Sequence, residues 1–105
     1  MQLSQSFIHH VYFWLQNPSS KEDFDALLNG LQSLTAIKEI QHFHIGLPAD
    51  TNRDVIDTSY SFSLLLIFNN KEEQEVYQTH PVHLKFVEDC KHLWNKVVVY
   101  DSVPA

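Results

Sequence analysis

One cysteine, two glycines and only seven lysines and arginines stand among 105 residues, and each scarcity closes off a class of function. Cys90 has no partner for an internal disulfide, which fits a reducing, cytoplasmic setting. Gly30 and Gly46 are isolated, so no glycine-rich loop is available to cradle a phosphate. Thirteen Asp and Glu against seven Lys and Arg give a net charge of −6, and no basic stripe exists to neutralise phosphates. Nucleic acid and anionic membrane are therefore not expected partners. The longest apolar runs, Leu64 to Phe68 and Val97 to Tyr100, fall far short of the roughly 20 residues of a membrane-spanning helix. The opening MQLSQSFIHH lacks the basic segment and apolar stretch of a secretory signal, so a cytoplasmic protein is expected. A chain of 105 residues forms one small domain. It buries roughly two-thirds of its unfolded surface, which leaves little interior for a large ligand unless a second subunit helps.

What is present in excess is β-branched, aromatic and histidine residues. Residues 7–16, FIHHVYFWLQ, read as a strand whose two faces are both largely apolar. Asn17 to Ser20 form a turn, and Ser20 with Asp23 caps a helix over about Lys21 to Leu34, with Phe24, Leu27, Leu28, Leu31 and Leu34 on one side. A second strand is expected over 37–45, and a polar connection runs from Gly46 to Asp57, long enough to be a lid or interface segment. A third strand runs from Thr58 to Phe68. Asn70 and Glu73 cap a short helix carrying Val76 and Tyr77. Pro81 forces His80 out of helical geometry and opens a new helix to about Asn95, and Lys96 to Val103 close the chain as a fourth strand.

The order βαββαβ predicts a ferredoxin-like α+β subunit, an antiparallel four-stranded sheet with its helices on one face. The other face is then bare. If Phe7, Val11, Phe13 and Leu15 lie on it with Phe43, Ile45, Leu65 and Ile67, a monomer exposes an apolar patch of the kind that marks a subunit interface. A two-fold homodimer follows as an expectation.

The seven histidines are the candidate chemistry. His9 and His10 point to opposite faces of a strand and cannot hold one metal together, whereas His42 and His44 share a face. No HExxH, CxxC or facial His/His/carboxylate pattern accompanies them, so no metal or other cofactor is expected. Tyr77, His80 and His83 form a denser group. His83 falls in the first turn after Pro81, where the helix dipole favours the neutral ring, and Tyr77 can present its phenol to the same space. Spacing alone allows two readings. Either the pair is a general base with a carbonyl-polarising phenol, or two polar groups satisfy each other where the helix bends. Tyr12, Trp14, Phe24 and Trp94 read as core, and line a pocket only if the helices stand off the sheet.

The segment from Glu75 through Tyr77, His80, Pro81 and His83 to Phe86, Trp94, the strand Val97 to Tyr100 and Asp101 resembles the stress-responsive A/B barrel (Dabb) family. The early strand with His10, and Gly46 after the second strand, fit as well. The resemblance covers nearly the whole chain, and its Y-x-x-H-P-x-H core is specific. It implies a dimeric α+β barrel of ferredoxin-like subunits. The family's plant polyketide cyclase further implies that His83 abstracts an α-proton while Tyr77 holds the carbonyl oxygen, in an aldol condensation. By the same resemblance His10 lines the cavity, with Tyr12, Trp14, Phe24, Leu28, Phe86 and Trp94 as its walls. Val87 stands where the cyclase has glycine and Leu27 replaces an aromatic, so the cavity is expected to differ in shape and to be narrower for a long alkyl chain; Phe62 is apolar where the cyclase has a further histidine.

Three functional readings follow. The first is a homodimer binding a small hydrophobic organic ligand, with His83 and Tyr77 as its acid–base pair and a polyketide-like substrate. The second is a non-catalytic, stress-associated homodimer in which those residues hold the helix bend. The third is a cofactor-free monooxygenase of the related dimeric barrels. A void of at least roughly 300 Å³ holding both His83 and Tyr77 favours ligand chemistry, and a filled core there favours the second.

Overall fold

The computed structural model describes residues 5–105; residues 1–4, part of the segment read above for a secretory signal, lie outside them. Four strands, β1 (Phe7–Leu15), β2 (His42–Gly46), β3 (Phe62–Phe68) and β4 (Trp94–Ser102), alternate with helices α1 (Lys21–Ser33), α2 (Lys71–Thr79) and α3 (Pro81–Cys90). Their order in the sheet is β2-β3-β1-β4, and all three strand pairings are antiparallel. This is the ferredoxin-like α+β fold. Among the described residues no helix is long and apolar enough to cross a membrane.

The helix starts are set by the residues that suit them chemically. The Ser20 hydroxyl accepts the Asp23 N–H and the Asn70 side chain accepts the Glu73 N–H, each filling a donor that the first helical turn leaves open. His80 is extended, at φ −63° and ψ 136°, as the following proline requires, and its Nδ1 accepts the Val82 N–H to cap α3. The sequence reading placed α3 as far as Asn95; the helix instead ends at Cys90, and a 3₁₀ turn (Lys91–Leu93) leads into β4. Strands β2 and β3 are also shorter than expected. Turn hydrogen bonds from Ile37 to Leu34 and from Ile40 to Ile37 take up the start of the first, and Asp57 captures the Ser59 N–H before the second.

The assignment of faces is corrected. Phe7, Val11, Phe13 and Leu15 are buried beneath the helices with Phe62, Leu64, Leu66 and Phe68. Register puts Phe43 and Ile45 on that same side, opposite Leu66 and Leu64. The bare face carries Ile8, His10, Tyr12 and Trp14 together with Leu65, Ile67, His42 and His44. Only Leu65 and Ile67 of the expected interface set lie there. Both sides of β1 are apolar, so alternation could not assign them; the helices cover whichever side brings β3's unbroken Phe/Leu series inward.

Gly30 lets α1 approach α3. A Cβ at this position would stand 2.5 Å from Cys90 Sγ and 3.1 Å from Phe86 Cδ1, both on α3. Within a helix, Gly→Ala ordinarily gains up to about 1 kcal/mol of propensity. Here overpacking outweighs that gain, and Gly30→Ala is expected to lose about 1–2 kcal/mol in urea unfolding. Adding Cys90→Ala should restore most of the loss; a Gly30→Ala protein as stable as the parent would show that the helices can part freely.

Candidate active site

On the helix side of the sheet, α2 and α3 meet β1 and β4 around a cavity of 150 Å³ lined by His9, Leu64, Tyr77, His83, Phe86, Val87 and Trp94, among others. Tyr77 is buried near the end of α2 and His83 sits one turn into α3, so the break at His80 turns both into one space. Their rings lie 4.5 Å apart at 44°. The two do not hydrogen-bond to each other. His83 Nδ1 lies 3.1 Å from the Gln78 carbonyl, which can only accept, so Nδ1 carries the proton and Nε2 of the neutral ring is a bare acceptor.

Electrostatics keeps both groups uncharged near neutrality. Burial lowers the His83 pKa first, repulsion from His9 lowers it further, and the Gln78 hydrogen bond opposes them. Burial holds the Tyr77 phenol well above its usual range. A neutral imidazole beside a neutral phenol can take a proton from carbon and donate a hydrogen bond to an oxygen.

His9 was not among the expected site residues, yet it belongs to this cavity. It is 5% exposed and stands edge-on to Tyr77, with ring centroids 5.7 Å apart. Its Nδ1 donates to Asp101 Oδ1 at 2.6 Å across the β1–β4 pairing, which turns Nε2 away from the carboxylate. The carboxylate fixes the ring's tautomer and orientation. Sequence had shown that His9 and His10 face opposite ways; which of them faced the helices required the register.

The other expected residues divide among three places. Phe86 and Trp94 join Tyr77 and His83. Phe24 and Leu28 border a separate cavity of 210 Å³ with Ile45, Gly46, Leu47 and Phe62. His10, Tyr12 and Trp14 lie on the bare face of the sheet, where Tyr12 and Trp14 line an open groove of 380 Å³ with Tyr60, Lys96 and Tyr100. Among the described residues no cluster of three or more His, Cys, Asp or Glu is placed to hold a metal ion.

No curated protein matches the chain. Among solved structures, a Dabb family protein with a ferredoxin-like fold from Mesorhizobium loti is 27% identical, with a TM-score of 0.79 over 95% of this chain and 97% of that one. A hydroxynitrile lyase from Passiflora edulis is 17% identical, with a TM-score of 0.78 over 96% of this chain and 94% of that one. A dimeric protein of unknown function from Bacteroides fragilis, also ferredoxin-like, is 20% identical, with a TM-score of 0.73 over 97% of this chain and 99% of that one. The last two likenesses concern the fold alone. The stress responsive A/B barrel domain matches residues 7–104, from the first residue of β1 to beyond the end of β4 and across the Tyr77–His83 segment, and the chain therefore belongs to that family.

Proposed function

We propose that this protein is a homodimer that binds a small hydrophobic carbonyl compound between sheet and helices and performs aldol-type acid–base chemistry on it. His83 Nε2 takes the proton α to the carbonyl; the C–H electron pair becomes the enolate double bond, and Tyr77 donates a hydrogen bond to the oxygen on which charge collects. The observation that carries this reading is the Gln78 hydrogen bond to His83 Nδ1, which leaves Nε2 as an acceptor in the cavity that Tyr77 shares. Phe86 and Trp94 supply apolar wall. His9, held by Asp101, is a second polar group beside the phenol.

The pocket, half open to solvent, holds 150 Å³ and so falls short of the roughly 300 Å³ void expected from the sequence to favour ligand chemistry; a substrate held there must be compact. Val87 contributes to its wall. A ring ketone suits this volume better than an extended polyketide. The same small volume favours the non-catalytic homodimer as the second reading.

The test is exchange of the α-protons of cyclohexanone in D2O, followed by NMR. Exchange faster than buffer at equal pH, with chemical-shift changes at Tyr77, His83 and Phe86, is expected. Exchange at the buffer rate with no shift changes would leave the non-catalytic homodimer. Light scattering should report a dimer at neutral pH, as several ferredoxin-like structural neighbours are described as dimeric. A monomer there would remove the homodimer from the proposal.

A further inference from the structure

The bare face of the sheet holds a histidine row that the proposed chemistry does not use. In register, His44 on β2 and His10 on β1 flank Leu65 on β3, and Tyr100 on β4 continues the same row; His42 lies one pleat away beside Ile67. Two strand spacings separate His44 from His10, about 10 Å, within the range over which like charges repel when poorly screened.

We propose that this histidine row makes the homodimer sensitive to acid: the second copy covers His10, His42 and His44, and their protonation separates the subunits. The inference rests on the homodimer of the preceding section.

The face supplies few groups to offset such charge. From β1 come His10 and Tyr12, from β2 His42 and His44, from β4 Lys96 and Tyr100, and from the loop before β3 Asp57 and Tyr60. β3 contributes Ser63, Leu65 and Ile67, none of which titrates. Lys96 is committed to the ring of Trp14, 4.5 Å from its centroid, and Asp57 accepts the Ser59 N–H. None of the described carboxylates forms an ion pair with His10, His42 or His44, and the described hydrogen bonds give His10 only a 3.4 Å contact with the Tyr12 hydroxyl. Burial, and then repulsion from His44 and His9, already lowers the His10 pKa in a single subunit.

The sign of the effect follows. Apposed sheets would withdraw water from groups that gain no carboxylate, so each histidine would bind its proton more weakly in the dimer than in the monomer. Acid then favours the form that binds protons better, the monomer, most strongly across the histidine range.

Sedimentation velocity across a concentration series tests this on the intact protein, with circular dichroism confirming the fold at each pH. A dissociation constant at least about tenfold larger at about pH 5.5 than at about pH 8 is expected, with unchanged circular dichroism. The triple variant His10→Gln, His42→Gln, His44→Gln should lose most of that difference. His44→Gln alone, on an edge strand, should reduce it even if the triple variant fails to fold. Equal dissociation constants at the two pH values, tighter association in acid, or variants that keep the full pH response would each overturn the histidine assignment while leaving the dimer in place. A monomer at pH 8 would instead overturn the dimer and this inference with it.

Discussion

His83→Gln is expected to slow α-proton exchange about 10²- to 10⁴-fold, the range that a positioned general base supplies. Glutamine preserves polarity and approximate size but has no nitrogen that can accept a proton near neutrality. Tyr77→Phe leaves the base in place and removes the donor to the developing oxyanion, a loss of about 10²- to 10³-fold. The pH profile separates the two roles. As pH falls, His83 protonates and the rate drops, and burial sets that drop below the ordinary histidine value of 6.5. As pH rises, nothing is lost until Tyr77 ionises, and burial moves that event above the ordinary value of 10.0. Exchange should therefore be flat between these limits in the parent, and Tyr77→Phe should lower the plateau without moving its acid edge. A folded His83→Gln protein that exchanges at the parental rate would assign the base elsewhere, with His9 the other imidazole among the residues lining the cavity.

How far the sequence could be read depended on whether the deciding interaction was local. Ser20, Asn70 and Pro81 act within a turn of the residues they organise, and the helix starts they imply are those observed. Tyr77 and His83 are six residues apart across one break, so their convergence could be inferred from spacing, and their rings lie 4.5 Å apart. His9 meets Asp101 across a sequence separation of 92 residues, through the β1–β4 register. Local pattern has no access to that pairing. It also could not orient β1, whose even side carries Ile8, Tyr12 and Trp14 and whose odd side carries Phe7, Val11, Phe13 and Leu15. A usable signal lay in β3, where Ser61 and Ser63 oppose Phe62, Leu64, Leu66 and Phe68, but carrying that parity to β1 requires the pairing of Phe13 with Phe62. The family resemblance placed His10 in the cavity with Tyr77 and His83; in the subunit His10 lies on the opposite side of the sheet and His9 on theirs.

The largest stability effect is expected at Phe62, the residue through which that register is packed. Its ring is 1% exposed and lies 4.7 Å from Phe24 at 35°, so it closes the core between β3 and α1. It also borders the half-open pocket of 210 Å³, so truncation to alanine would extend that pocket inward by the volume of a phenyl ring. Collapse into that space is resisted by the strand's own anchors: Ser61 N–H donates to the Phe13 carbonyl at 2.7 Å and its hydroxyl accepts the Leu15 N–H at 2.9 Å. Phe62→Ala should thus lose about 3–5 kcal/mol, a large part of the roughly 5–15 kcal/mol that holds a domain together. A fall in Tm of about 12–40 °C follows for a chain of this length, read by circular dichroism at fixed protein concentration. Phe62→Leu keeps most of the volume and should lose under about 1.5 kcal/mol. If the enlarged space stays open and dry, saturating benzene should return part of the lost stability to Phe62→Ala and little to the parent. A loss below about 1 kcal/mol with no response to benzene would mean that α1 and the sheet close over the gap, and that the hydrogen bonds of Ser61 do not hold this end of the core against collapse.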